Sequence, residues 1–299
     1  MNKRPWVSLS FLLILGIIWG SCYSMAHFIT KNGIHPLGYA FWQSFGPTCF
    51  LFLIIIILKL PIYFTLYHIR YYFICGTIGV AIPNLNIFFA ASHLPAGLLA
   101  VIVNIAPVVT YLLAFSLNHE RFSIVKFFGV IVAMIGIACI VIPKSNLPKN
   151  LENFSWIISA LLTPVCFAVC ALFAEKYQPK DSHAISLSAG MLLVSSILIT
   201  LIIINTENFY FIHIPFEIQD WVLIVGIIFS GLGYVILFKL IKVAGAVYYG
   251  LVNGVVCITG LFWGWVFFEE NLDISIFFAA FLIIIGIFLV TFKKNKYLK

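Results

Sequence analysis

GTIGVAIPNLNIFFAASHLPAGLLAVIVNIAPVVTYLLAFSLNHERFSIVKFFGVIVAMIGIACIV, Gly76–Val141, is followed at a constant offset of 150 by GIIFSGLGYVILFKLIKVAGAVYYGLVNGVVCITGLFWGWVFFEENLDISIFFAAFLIIIGIFLVT, Gly226–Thr291. Gly76 falls on Gly226, Phe88 on Phe238, Ala96 on Ala246, Glu120 on Glu270 and Gly136 on Gly286. Both copies are almost wholly apolar. Such a repeat in a membrane chain predicts two like halves that face each other across a shared cavity, as in many carriers.

The rest of the chain has the same character. It is 63% hydrophobic and 9% charged over 299 residues, with a mean hydropathy of +1.12. Soluble domains carry about 25% charged residues, so a water-soluble globular fold is excluded. A membrane helix needs about 20 apolar residues. Ten such spans can be drawn, at 6–29, 37–58, 71–92, 96–118, 124–142, 155–174, 183–204, 221–240, 246–268 and 274–292. Runs such as Phe50–Leu58 do not alternate in polarity as barrel strands do. The expected fold is all-α and integral to the membrane: ten transmembrane helices as two inverted five-helix repeats, 1–147 and 148–299. An odd number of helices per half turns the second half upside down.

Charge placement supports this topology. With the N-terminus in the cytoplasm, 14 Lys and Arg residues face inward and 3 (Lys31, Lys144, Lys149) face outward, as the positive-inside rule expects. The net charge of +7 is thus a topology signal and not a nucleic-acid footprint. The expected location is the cytoplasmic membrane, with both termini cytoplasmic. The apolar run after Arg4 exceeds a signal-peptide core and reads as a retained first span. Seven scattered cysteines give neither a disulfide framework nor a metal motif, and no cofactor fingerprint occurs.

Helix breakers fall at matching depths. Pro83 in span three maps on Gly233 in span eight, near Gly231. Pro107 lies in span four and Pro164 in span six. Loosened backbone in lipid must be buried in protein or line a watery cavity, and paired interruptions point to a carrier's site. These five positions are the candidate break and gating residues. The polar groups near them are candidate substrate contacts. They are Trp19 and Tyr23 on span one, Asn84 and Asn86 on span three, and Asn104 and Tyr111 on span four. Tyr234 on span eight and Tyr249 and Asn253 on span nine complete the set. Each Asn can equally serve an interhelical hydrogen bond. No Asp, Glu, Lys or Arg lies near the midplane; the nearest titratable groups are His27, toward the outer end of span one, and Glu175, at the inner end of span six, and His27 is the candidate proton-coupling residue. The pairs Gly16/Gly20 and Gly260/Gly264 allow close helix approach, inside the bundle or between copies.

LGIIWGSCYSMAHFITKNGIHPLGYAFWQSF, Leu15–Phe45, resembles the opening of the EamA-type family of the drug/metabolite transporter superfamily. Leu94–Val141, with Pro107, the Asn118-His-Glu-Arg121 turn and Gly129, resembles that family's repeat signature. Two positions depart from it: Gln43 stands where many members have Arg, and the Glu120 turn lacks its usual Gly. The resemblance implies alternating access and a small-molecule substrate such as an amino acid or related zwitterion, moved by an exporter or a facilitator. Multidrug export, or import of S-adenosylmethionine-like metabolites, is the alternative. An intramembrane enzyme would need a nucleophile–base pair or a metal set at depth, and the sequence offers neither. A sensor or channel is a further rival, and the oligomeric state is left open.

Overall fold

The computed structural model describes residues 5–91, 106–118, 122–141, 154–180, 182–268 and 274–292. Among these, every regular element is helical. In the first half they are α1 (Pro5–Lys31), α2 (Pro36–Ile57), α3 (Leu66–Gly76), a π-helical turn (Thr77–Ala81), α4 (Ile82–Ala91), α5 (Ala106–Ser116) and α6 (Ile124–Val141). The second half has α7 (Phe154–Ala160), α8 (Leu162–Tyr177), α9 (Ala184–Ile203), α10 (Ile218–Ala244), α11 (Ala246–Gly250), α12 (Val252–Phe268) and α13 (Ile274–Phe292). Four stretches, Pro36–Ile57, Ile158–Tyr177, Ala184–Ile203 and Ile218–Ala244, are long and apolar enough to cross a bilayer by length and composition alone; shorter apolar helices supply the rest.

Local signals set the helix ends. His35 is the N-cap of α2: its Nδ1 accepts from Leu37 N at 3.2 Å, and Pro36 takes the first turn, where its missing N–H costs nothing. Glu217 caps α10 reciprocally with Asp220, whose Oδ2 accepts from Glu217 N at 2.9 Å. Asp220 is fully buried, and it also accepts from the Tyr210 hydroxyl at 2.7 Å. Burial, this bond and the neighbouring carboxylates raise the Tyr210 phenol well above its ordinary pKa, so it remains a donor.

The halves interlock. α1 packs on α10 and α12, while its counterpart α8 packs on α4 and α5. α2 packs on α10, and its counterpart α9 on α3. α2 crosses α9, and α6 runs along α13. Each pair exchanges with another, or with itself, when the repeats are swapped. The exchange holds at single residues. A Cβ on Gly136 would lie 2.8 Å from Ala279 O; one on Gly286 would lie 2.6 Å from Gly129 O. Shifting both partners by 150 converts one contact into the other. This approach of α6 to α13 needs glycine at both places.

The small-residue motif of span one is also internal. Gly16 and Gly20 face Val255 and Thr259 of α12, and Thr259 Oγ1 donates to Gly16 O at 2.9 Å. No second copy is needed to cover it.

The interruptions differ from expectation in one respect. Gly231 and Gly233 do not break span eight, because α10 runs without interruption from Ile218 to Ala244. Glycine permits a break but does not force one. At these positions it admits neighbours instead: the Phe50 ring lies against Gly231 and the Trp19 indole against Gly233. Span one is likewise continuous through Trp19-Gly20. Proline acts differently. Pro83 comes just after the π turn, where Ile82 N bonds back to Thr77 O. A proline ring at 83 removes the bond to residue 79 and crowds that carbonyl, and widening the turn relieves the crowding. Pro164 lies in the first turn of α8, and span six is interrupted at Leu161, next to the carbonyl of Ala160 that the proline cannot reach. Span nine is interrupted at Leu251, beside Gly250. Pro107 lies in the described part of span four and meets Gly250, whose Cβ would come 3.1 Å from Pro107 Cα.

Candidate functional site

The π turn, α8, α9, α10 and α11 converge on a narrow cavity of about 20 Å³, room for about one water molecule. Gly79 comes from the π turn; Phe167, Cys170 and Ala171 from α8; Met191 from α9; Tyr234, Leu237 and Ile241 from α10; and Tyr249 from α11. Both repeats therefore contribute to one space. Among the described residues, its walls carry no ionised side chain. A charge placed there would lose its hydration with nothing to compensate it.

Three of the sequence-predicted contacts come together at this cavity. Tyr234 and Tyr249 line it, and Trp19 stands edge-on to both, with ring centroids 5.9 and 6.2 Å away at 68° and 80°. Edge-to-face packing of this kind suits aromatic rings. Nearby along the same helices, Tyr71 of α3 packs between Phe173 of α8 and Phe238 of α10, with ring centroids 5.7 and 6.0 Å away.

The remaining candidates lie elsewhere. Asn86 bridges the break in span six: its Nδ2 donates to Ser159 Oγ in α7 at 3.0 Å, and its Oδ1 accepts from Thr163 Oγ1 in α8 at 3.0 Å. The amide thus spans the interruption at Leu161 and is occupied by structure. Tyr111 is buried away from the cavity. Its hydroxyl accepts from Ser123 N at 3.0 Å and donates to Ser123 O at 3.3 Å, pinning the entry to α6. Asn84 and Asn253 are half-buried and make no hydrogen bond among the described residues. Asn104 lies outside the described residues. Tyr23 and His27 belong to α1, but their side chains lie outside the description.

The sequence pattern did not single out part of the cavity wall. Phe167, Cys170, Met191 and Leu237 are apolar residues among many, with no local sign that they face a cavity. Glu175 Oε2 accepts from Ala246 N at 3.0 Å and ties the end of α8 to the start of α11 across Gly245, whose φ is +90°. Gln43, one of the two departures from the family pattern, has its Nε2 buried without a partner among the described residues, against Gly226.

A body of two repeats, helical throughout its regular elements among the described residues and with spans long and apolar enough for a bilayer, is the architecture of a multi-pass carrier. The chain belongs to the EamA-like transporter family, whose model matches it twice, over residues 6–142 and 154–292. It is 25% identical to the Bacillus subtilis (strain 168) protein named "Uncharacterized transporter YoaV", over 95% of this chain and 97% of that one. A protein crystal structure 16% identical in sequence superimposes with a TM-score of 0.79, covering 95% of this chain and 98% of the other, which shows the shared fold.

Proposed function

We propose that this transporter carries small, net-neutral metabolites, amino acids or related zwitterions, by alternating access. It works as an exporter or facilitator in the cytoplasmic membrane, with both termini cytoplasmic and the repeats meeting near residue 147. The uncharged wall of the cavity between the repeats carries this reading. A net-charged substrate would cost several kcal/mol there. Trp19, Tyr234 and Tyr249 hold the apolar part of the substrate; Asn84 and Asn253, with Asn104 and Tyr23, serve its polar ends. Pro83, Pro107 and Pro164 mark where the spans yield as access alternates, and His27 is the one candidate proton site.

Counterflow in reconstituted vesicles tests this. Vesicles preloaded with unlabelled neutral amino acids should transiently accumulate the labelled species, and a pH jump alone should not drive accumulation. No exchange for any neutral amino acid would sink the proposal. Accumulation driven by the pH jump would replace the facilitator with a proton-coupled carrier. The apolar wall of Phe167, Met191, Leu237 and Ile241 favours one second reading, export of apolar toxic compounds. Dye efflux without amino-acid exchange would select it.

A further inference from the structure

The loop between spans two and three and the loop between spans seven and eight are repeat-equivalent and lie on opposite faces of the bundle. They share a pattern that the repeat alone does not require. At the offset of 150, Ile62 matches Ile212, Phe64 matches Ile214 and Leu66 matches Phe216. Ile62 and Ile212 both turn inward and pack against buried clusters. The next pair turns outward: Phe64 is 60% exposed and Ile214 91%. Leu66 and Phe216 come next at 63% and 45%. The chemistry is conserved between the loops while the residues differ.

Both loops are anchored by the opposite repeat. Ser186 Oγ of α9 donates to Pro61 O at 2.9 Å, and Trp42 Nε1 of α2 donates to Tyr210 O at 2.9 Å. The backbone is thus held inward while bulky apolar side chains point away from the protein. Contiguous exposed apolar surface needs a partner. Along the chain each loop adjoins further exposed apolar side chains, Ile56 and Ile57 at the end of α2, and Leu201 in the last turn of α9 with Ile204 just beyond it, which face lipid in a membrane-spanning bundle. Aromatic and aliphatic side chains at this level suit the boundary between headgroups and acyl chains.

We propose that the two loops are a matched pair of lipid anchors, one in each leaflet, inserting Phe64 and Leu66 on one side and Ile214 and Phe216 on the other. Each anchor sits in the connection between span two or seven and the next span along the chain. The bilayer therefore grips both repeats at equivalent points.

The test places the photoreactive residue p-benzoylphenylalanine at Phe64 or at Ile214 in the full chain, with Lys180 as the control position. Native membranes are illuminated and the intact protein is weighed. Adducts of phospholipid mass are expected at 64 and at 214, and few at 180. The pair Leu66 and Phe216 gives the same readout if the first pair expresses poorly. Lipid adducts at one loop only, adducts to another protein or to a second copy, or equal lipid yield at the control would each overturn the proposal.

Discussion

Span three and span eight hold equivalent places in the two repeats yet behave differently. Span three passes through a π turn before Pro83, while span eight is a single helix of 27 residues through Gly233. The two positions match in the repeat but not in their chemistry. Proline removes a donor and pushes a carbonyl aside, so the backbone must respond. Glycine removes only a side chain, and a neighbour, the Trp19 indole, takes the space. One repeat thus contributes a wall with a widened turn and the other an uninterrupted helix with a seated aromatic ring. The cavity lies between them.

Several changes would break or sharpen this contrast. The largest effect is expected from Gly233→Leu, which occupies the Trp19 seat. Overpacking of this kind costs about 1–3 kcal/mol, and exchange in vesicles should fall at least about tenfold as Trp19 leaves Tyr234 and Tyr249. Unchanged exchange would mean that the indole is not part of the site. Next, Pro83→Ala lets span three regain a regular helix. Losing the extra residue of the π turn would rotate the rest of the span by about 100° and carry Asn86 away from Ser159 and Thr163. Transport should drop several-fold, and stability should fall by about the 1–2 kcal/mol of the two lost bonds; normal transport would contradict the account. Asn86→Ala should lower stability by about 1–2 kcal/mol through two lost interhelical bonds, with substrate affinity in counterflow unchanged. The smallest effect belongs to Tyr111→Phe, which loses only the bonds to Ser123: a stability change under about 1.5 kcal/mol and normal exchange kinetics.

The offset of 150 made much of the fold legible. It paired Gly136 with Gly286, and these are the places where α6 and α13 touch. Pro83 and Pro164 were legible because proline acts on its own backbone, within one turn. The polar candidates were harder to sort. Asn86 and Tyr111 look like site residues in a hydrophobic sequence, since any polar group in lipid needs a partner. Whether that partner is substrate or protein depends on distant residues such as Ser159 and Ser123, which periodicity does not reveal. The apolar lining was illegible for the opposite reason. Met191 and Leu237 carry no chemistry that separates a cavity wall from a packed core.

The central claim is that the repeats are inverted, so that equivalent loops lie on opposite faces. Single cysteines at Lys59 and Asn205, at the starts of the two repeat-equivalent loops, test it directly. A membrane-impermeant maleimide added outside intact cells should label position 205 and spare 59 until the membrane is permeabilised, with the unsubstituted chain as background control. Labelling of both positions from the same side would contradict the account.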